Sequence, residues 1–166
     1  MPTGPAARVT DNVVHPAPPV LGPGPGSLNV LIGSLPAWRG VPAAAAGALQ
    51  SAKQTSDTAI RAAEAATLAA AGTPGAPAAK AAEEGVKAAA AAAMGSAITA
   101  AAGGADIHTC ATPLPIPPHG PGVVIDGSQT VLINNLPACR MGDTLLEAVG
   151  PPNKIARGET RVIIGG

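Results

Sequence analysis

The chain repeats one short pattern of residues, and this repeat constrains its fold more than any other feature. Residues 26–39 match residues 127–140 position by position, and a shorter copy occupies residues 158–166. Each copy reads as a glycine turn, a short β-branched strand, a Gly or Asn turn and a strand led by Pro, which predicts a β-hairpin. One hairpin cannot bury a face alone. We therefore expect a mainly β fold in which three hairpins pack as pseudo-threefold repeats around a narrow core.

The composition agrees with a turn-rich fold and excludes several functional classes. The 166 residues include 21 Gly and 19 Pro, and Trp38 is the only aromatic residue. The formal net charge of zero gives no general attraction to nucleic acid or to anionic membranes. The first residues lack the basic and apolar regions of a signal peptide, so we expect cytosolic synthesis with reduced thiols.

The copy at residues 26–39 is interrupted after its end. Its last residue, Arg39, matches Arg140, and the opening Pro5-Ala6-Ala7-Arg8 ends in the same way. An Asp follows by three residues after Arg8 and after Arg140, but the corresponding residue after Arg39 is Asp106. This spacing predicts an insertion at residues 41–104. The remaining β domain is then discontinuous and comprises residues 1–40 and 105–166.

The insertion is rich in alanine, the residue with the strongest helix propensity. We predict helices at 43–71 and 76–102, joined as a helical hairpin by a turn at 72–75; disorder is the alternative. Residues 88–104 carry no charge, but Ala is only weakly apolar and the stretch is just below the length of a membrane span, so we expect no crossing.

All three histidines and one of the two cysteines fall near equivalent places in the repeat. His15 and Cys110 each follow the repeat Asp by four residues, and His108 and His119 lie close to Cys110. We expect all four residues to lie in connecting loops at one end of the hairpins. A single loop histidine is usually only solvated, but here every histidine is involved. Three imidazoles and one thiolate suit one structural zinc ion in a closed tetrahedral site, and a domain with little core often uses a metal to stabilise its fold.

Two other residues near these positions receive a simpler interpretation. Cys139 replaces an Ala of the opening motif, so we expect its thiol to pack as a small buried group. Glu147 follows Asp143 by four residues, as Cys110 follows Asp106. We expect Glu147 to be a surface carboxylate, because a fifth ligand is unusual for structural zinc.

These residues resemble the PAAR-repeat family, the spike-tip proteins of type VI secretion and other contractile injection systems. The opening Pro5-Ala6-Ala7-Arg8 reproduces the motif that names the family. The stretches 127–134 and 106–120 are also typical of the family, and together the similar segments cover almost all of the chain outside the insertion. Three features depart from the family pattern, namely Trp38, Cys139 and the insertion itself.

The resemblance implies a three-sided β cone with zinc near its apex, held by His15, His108, Cys110 and His119. It also implies that the base of the cone binds a trimeric spike protein of the valine-glycine-repeat or phage-baseplate type. We expect exposed strand edges and apolar side chains to make this contact, among them Val162, Ile163 and Ile164. The implied function is to cap and sharpen the spike for membrane puncture, with the protein cytoplasmic in the assembled machine and delivered outside on firing.

Two other functions compete with this interpretation. The helical insertion could make the chain an effector-carrying adaptor that docks cargo at the spike tip. A zinc-dependent hydrolase would need an open coordination position and a general base, and four predicted ligands argue against it, so we expect no enzymatic activity. We also expect a monomer before spike binding, and no toxin domain within the chain.

Overall fold

The computed structural model describes residues 2–14, 20–110 and 119–166 as two helices and ten short strands. The helices are α1 (Ala43–Ala69) and α2 (Ala76–Ala102). The strands are β1 (Gly4–Ala6), β2 (Leu31–Ile32), β3 (Leu35–Pro36), β4 (His108–Cys110), β5 (Gly120–Val124), β6 (Leu132–Ile133), β7 (Leu136–Pro137), β8 (Thr144–Glu147), β9 (Asn153–Lys154) and β10 (Glu159–Ile164).

All strand pairs are antiparallel. Strand β1 pairs with β10, and the hairpins β2–β3 and β6–β7 each form a two-stranded sheet. A four-stranded sheet has the order β4-β5-β8-β9. Each helix has 27 residues and no described strand exceeds six. The described part of the chain is therefore mixed α and β, and the predicted β-hairpins lie among its strands.

The two isolated hairpins have matching turns. In the first, Gly33 and Ser34 both have positive φ angles, and in the second, Asn134 and Asn135 do. Two consecutive positive φ values in a two-residue loop define the type I′ turn, which suits the twist of a hairpin and favours Gly and Asn. The turn residues of the repeat therefore confirm the predicted hairpins at these positions.

Three arginine–aspartate pairs have nearly identical hydrogen bonds. In each pair the Asp carboxylate accepts from the backbone N–H and the side chain of the Arg, and the Asp N–H donates back to the Arg carbonyl. The pairs are Arg8–Asp11, Arg39–Asp106 and Arg140–Asp143. The predicted correspondence of Asp106 with the other two aspartates is thus confirmed, although 67 positions separate it from Arg39.

The middle positions of the three motifs hydrogen-bond to one another in a closed ring. The Ala7 N–H donates to the Cys139 carbonyl, the Trp38 N–H to the Ala7 carbonyl, and the Cys139 N–H to the Trp38 carbonyl, at 2.9 to 3.0 Å. All three side chains are buried in one apolar cluster. The ring joins chain segments that are more than 130 residues apart.

The hairpin turns also contact one another in a cycle. The Ser27 hydroxyl of the first copy donates to Asn134 in the second turn, and the Ser128 hydroxyl of the second copy donates to the Gly165 carbonyl in the third. A Cβ added at Gly33 in the first turn would lie 2.5 Å from the Glu159 carboxylate of the third copy. Each copy therefore supports the next one.

The predicted helical hairpin is confirmed. Helix α2 has the expected bounds, and α1 ends at Ala69 rather than at residue 71, with Gly72 in a positive-φ turn. The Lys87 ammonium of α2 contacts the Glu64 carboxylate of α1 at 2.7 Å, and it contacts the Glu83 carboxylate within α2 at the same distance. The Glu64–Lys87 ion pair therefore connects the two alanine-rich helices.

The hairpin packs on the four-stranded sheet. Leu49 of α1 and Met94 and Ile98 of α2 are buried in one cluster with Val123 of β5 and Leu146 of β8. Because this core includes residues from both parts of the chain, the insertion does not stand apart from the β strands.

Among the described residues, one helix is long and apolar enough to cross a membrane. It is α2, whose best window has a mean hydropathy of 1.2 and is 17% buried. Length and composition are weak evidence for a membrane span, because core helices of soluble proteins pass the same test. The sequence-based expectation that residues 88–104 do not cross a membrane stays a prediction.

Candidate functional site

Strands β4, β5 and β8 bring four chemically active side chains to one place. His108 and Cys110 alternate with exposed Thr109 along β4 and are both buried, so they lie on the same face. In the register of the sheet, Gly122 of β5 stands between His108 and Glu147. The prediction that His108 and Cys110 lie in loops is therefore wrong, because both are residues of strand β4.

Glu147 is not the surface carboxylate that the sequence analysis predicts. It is fully buried at the end of β8. Its Oε2 lies 3.0 Å from Nδ1 of His119 and accepts a hydrogen bond from the Asn153 side chain, while its Oε1 lies 3.6 Å from Nε2 of His108. The one sequence signal for this placement is that Glu147 follows Asp143 by the same four residues as Cys110 follows Asp106.

Two glycines provide the space for these side chains. A Cβ at Gly122 would lie 2.9 Å from Cγ of Glu147, so only glycine lets the glutamate lie across β5 in this position. Gly150 has a φ of +86°, and a Cβ there would lie 3.2 Å from Nε2 of His119. The backbone thus approaches both the carboxylate and the imidazole closely.

The donor set of this cluster fits a metal ion. One ligand atom each from Cys110, His119 and Glu147 lie within 4.8 Å of one another. Sulfur, nitrogen and carboxylate oxygen are the donors that Zn²⁺ accepts in proteins. Of the predicted ligands, the structure brings Cys110 and His119 into this cluster and places His108 beside Glu147, whereas His15 lies outside the described residues.

Cys139 lies elsewhere, in the apolar cluster that contains Ala7 and Trp38. Burial raises the pKa of the Cys139 thiol well above its ordinary value, so the group stays protonated at neutral pH. Since metal ligation needs the thiolate, Cys139 is a packing residue, as its place in the motif predicts.

Separate from this cluster, the outward-facing apolar residues of the repeat strands form an exposed surface. Leu31, Leu132 and Ile163 occupy the same position in their copies and are 62%, 56% and 61% exposed. Val162 is also exposed. The prediction that Ile164 is available to a partner is wrong, because its side chain points inward and is buried with Ile32 and Ile133.

Comparison with known proteins adds one match. A family model described as PAAR motif matches residues 114–166, about a third of the chain, which includes His119, Glu147 and the third repeat copy. No curated protein and no solved structure matches the chain. PAAR proteins are a structural family of spike tips and not a family of enzymes. The chain therefore carries a PAAR motif, and the resemblance to the PAAR-repeat family is confirmed over these residues.

Proposed function

We propose that this protein is the metal-stabilised tip of a contractile injection machine, which caps and sharpens a trimeric central spike and aids membrane puncture. The observation that carries this proposal is the set of three matched apolar residues, Leu31, Leu132 and Ile163, with nearly equal exposure. Each stands next to an isoleucine that points into a common core. A single chain can thereby offer the same kind of contact to each subunit of a trimer.

The proposed shape is a pseudo-threefold cone formed by residues 1–40 and 105–166, with residues 41–104 as an insertion. The closed ring of backbone hydrogen bonds and the three matched Arg–Asp pairs support this arrangement, because each element occurs once per copy. A cone of this kind solves the symmetry mismatch between one cap and a threefold spike.

The metal would join β4, β8 and the residue that precedes β5, because its candidate ligands Cys110, Glu147 and His119 lie there. His108, Cys110 and His119 are the described residues of the predicted ligand set, and a bound Zn²⁺ would supply folding energy through their fixed donors. A tip stiffened in this way resists fraying when the spike is driven forward. The protein would fold in the cytoplasm and leave the cell on firing; cargo docking through the helical hairpin stays an alternative prediction.

The test is binding to the trimeric spike of the same contractile system. We expect the parent chain to bind as one cap per trimer, measured by analytical ultracentrifugation. Leu31→Asp, Leu132→Asp and Ile163→Asp combined should weaken binding by at least a hundredfold, because burial of each aliphatic side chain contributes about 1.5–3 kcal/mol.

The matched control is Leu68→Asp, a similarly exposed apolar residue on α1. It should leave spike binding unchanged. Undiminished binding of the triple variant would contradict the assignment of this surface as the base, and a parent chain that binds no spike would contradict the cap function.

A further inference from the structure

We propose that Glu147 is itself a ligand of the metal, together with Cys110 and His119. This inference rests on the proposed metal-stabilised tip and changes its ligand set. In the sequence, Glu147 follows Asp143 by the same four residues as His15 follows Asp11 and Cys110 follows Asp106, and histidine and cysteine are both ordinary zinc ligands. The sequence pattern alone predicts a surface carboxylate at Glu147; the structure gives three reasons to place it in the site.

The first reason is position. The Asp residues that start the count, Asp106 and Asp143, make the same bonds to their arginines, so the two copies share one backbone frame. Four residues later, Cys110 and Glu147 lie on strands β4 and β8, one on each side of β5. Their ligand atoms meet with that of His119 within 4.8 Å.

The second reason is burial. A carboxylate that is removed completely from water is costly unless it is hydrogen-bonded, paired or bound to a metal. Glu147 is 0% exposed and lies beside a thiol and two imidazoles, His119 at 3.0 Å and His108 at 3.6 Å. These neighbours are themselves the donor types of a zinc site.

The third reason is orientation. The Asn153 amide on β9 donates to Oε2 of Glu147, and Gly122 leaves the room in which the side chain crosses β5. Hydrogen bonds from outside the site commonly fix the direction of metal-ligating carboxylates. Asn153 and Gly122 thus hold Glu147 toward the cysteine and the histidines.

The experiment compares the full-length parent with Glu147→Gln, which keeps the size of the side chain but removes its charge. Each protein is loaded with Co²⁺, and its visible absorption spectrum reports the inner ligands; Zn²⁺ affinity is measured by competition with a coloured chelator. We expect a shifted cobalt spectrum and a loss of Zn²⁺ affinity of more than tenfold. Glu84→Gln, an exposed carboxylate on α2, should change neither.

A cobalt spectrum of Glu147→Gln identical to that of the parent would overturn the proposal, because an outer carboxylate that only holds His119 can change affinity but not the ligand set. If Glu147→Gln does not fold, Glu147→Asp keeps the carboxylate on a shorter side chain and should also shift the spectrum. A parent that takes up neither metal would overturn the metal site as a whole. The spike-binding assay would then still test the cap function separately.

Discussion

The largest and the smallest side chains of the buried ring occupy equivalent positions. Trp38 occupies the motif position that Ala7 and Cys139 occupy in the two other motifs, and all three are buried. A Cβ at Gly24 would lie 3.0 Å from the Trp38 ring. The absence of a side chain at Gly24 therefore leaves room for the indole. The three positions share a backbone geometry but not a volume.

This difference predicts unequal effects of alanine at the two non-alanine positions. Trp38→Ala should lower the free energy of unfolding by about 3–5 kcal/mol, because it leaves a large cavity. Cys139→Ala should cost less than about 1.5 kcal/mol, because it removes one heavy atom and gives this position the residue found at Ala7. Urea unfolding of both variants measures the two losses. Similar losses would contradict the prediction that the fold depends more on the volume of Trp38 than on that of Cys139.

Sequence reasoning predicts the residues that repeat better than those that do not. The Asp106 partner of Arg39 follows from comparison with Arg8–Asp11 and Arg140–Asp143, because these two pairs show the same motif without an interruption. The burial of Glu147 does not follow in this way. It depends on the pairing of β5 with β8 and on the missing side chain of Gly122, which are contacts between distant parts of the chain.

The helical hairpin is the element whose bounds the sequence predicts best. Alanine-rich segments with a Gly-Thr-Pro-Gly break between them specify helices and a turn through local preference. Strands of two or three residues carry no comparable signal, since their bounds depend on partners elsewhere.

Within the helical hairpin, Glu83 is buried against Lys80 and Lys87. These contacts predict how the hairpin responds to acid. Hydrogen bonds from Lys87 and Lys80 lower the pKa of Glu83 from 4.5 to about 2. The stability that the Glu83 carboxylate contributes is therefore complete above about pH 4.5 and is lost as the pH falls toward 2. Between pH 6 and pH 2, the parent should lose more stability than Glu83→Gln does, measured by urea unfolding followed by circular dichroism.

The control for the acid experiment is Glu84→Gln, which removes the neighbouring exposed carboxylate. Its stability should fall with pH in parallel with that of the parent. If Glu83→Gln also follows the parent over this range, the Glu83 ion pairs do not stabilise the hairpin.

At the scale of the whole molecule, strand β5 connects the Cys110–His119–Glu147 cluster with the helical hairpin. His119 directly precedes β5, Val123 lies in the core shared with α2, and a Cβ at Gly95 of α2 would lie 3.4 Å from Pro121. The cluster is therefore joined to the helices through β5, and also through β8, where Leu146 beside Glu147 lies in the same core.

This connection predicts the effect of metal removal. A strong chelator should increase amide hydrogen exchange in β5 and in the part of α2 around Gly95 and Ile98, because both pack on the same strand. The turn between the helices, which is far from β5 along both helices, should exchange at an unchanged rate. Increased exchange confined to residues 105–110 and 119–120 would contradict the connection.

The pair formed by Arg39 and Asp106 has a consequence for how such a chain can acquire new parts. Two backbone hydrogen bonds of 2.8 and 3.0 Å, one of them to the Asp side chain, hold the two ends of the insertion side by side. The entropy of closing a loop grows only slowly with its length. We therefore expect a folded module with adjacent termini to be accepted between these residues in place of the helices, provided that it covers the apolar side chains of β5 and β8 that the helices bury.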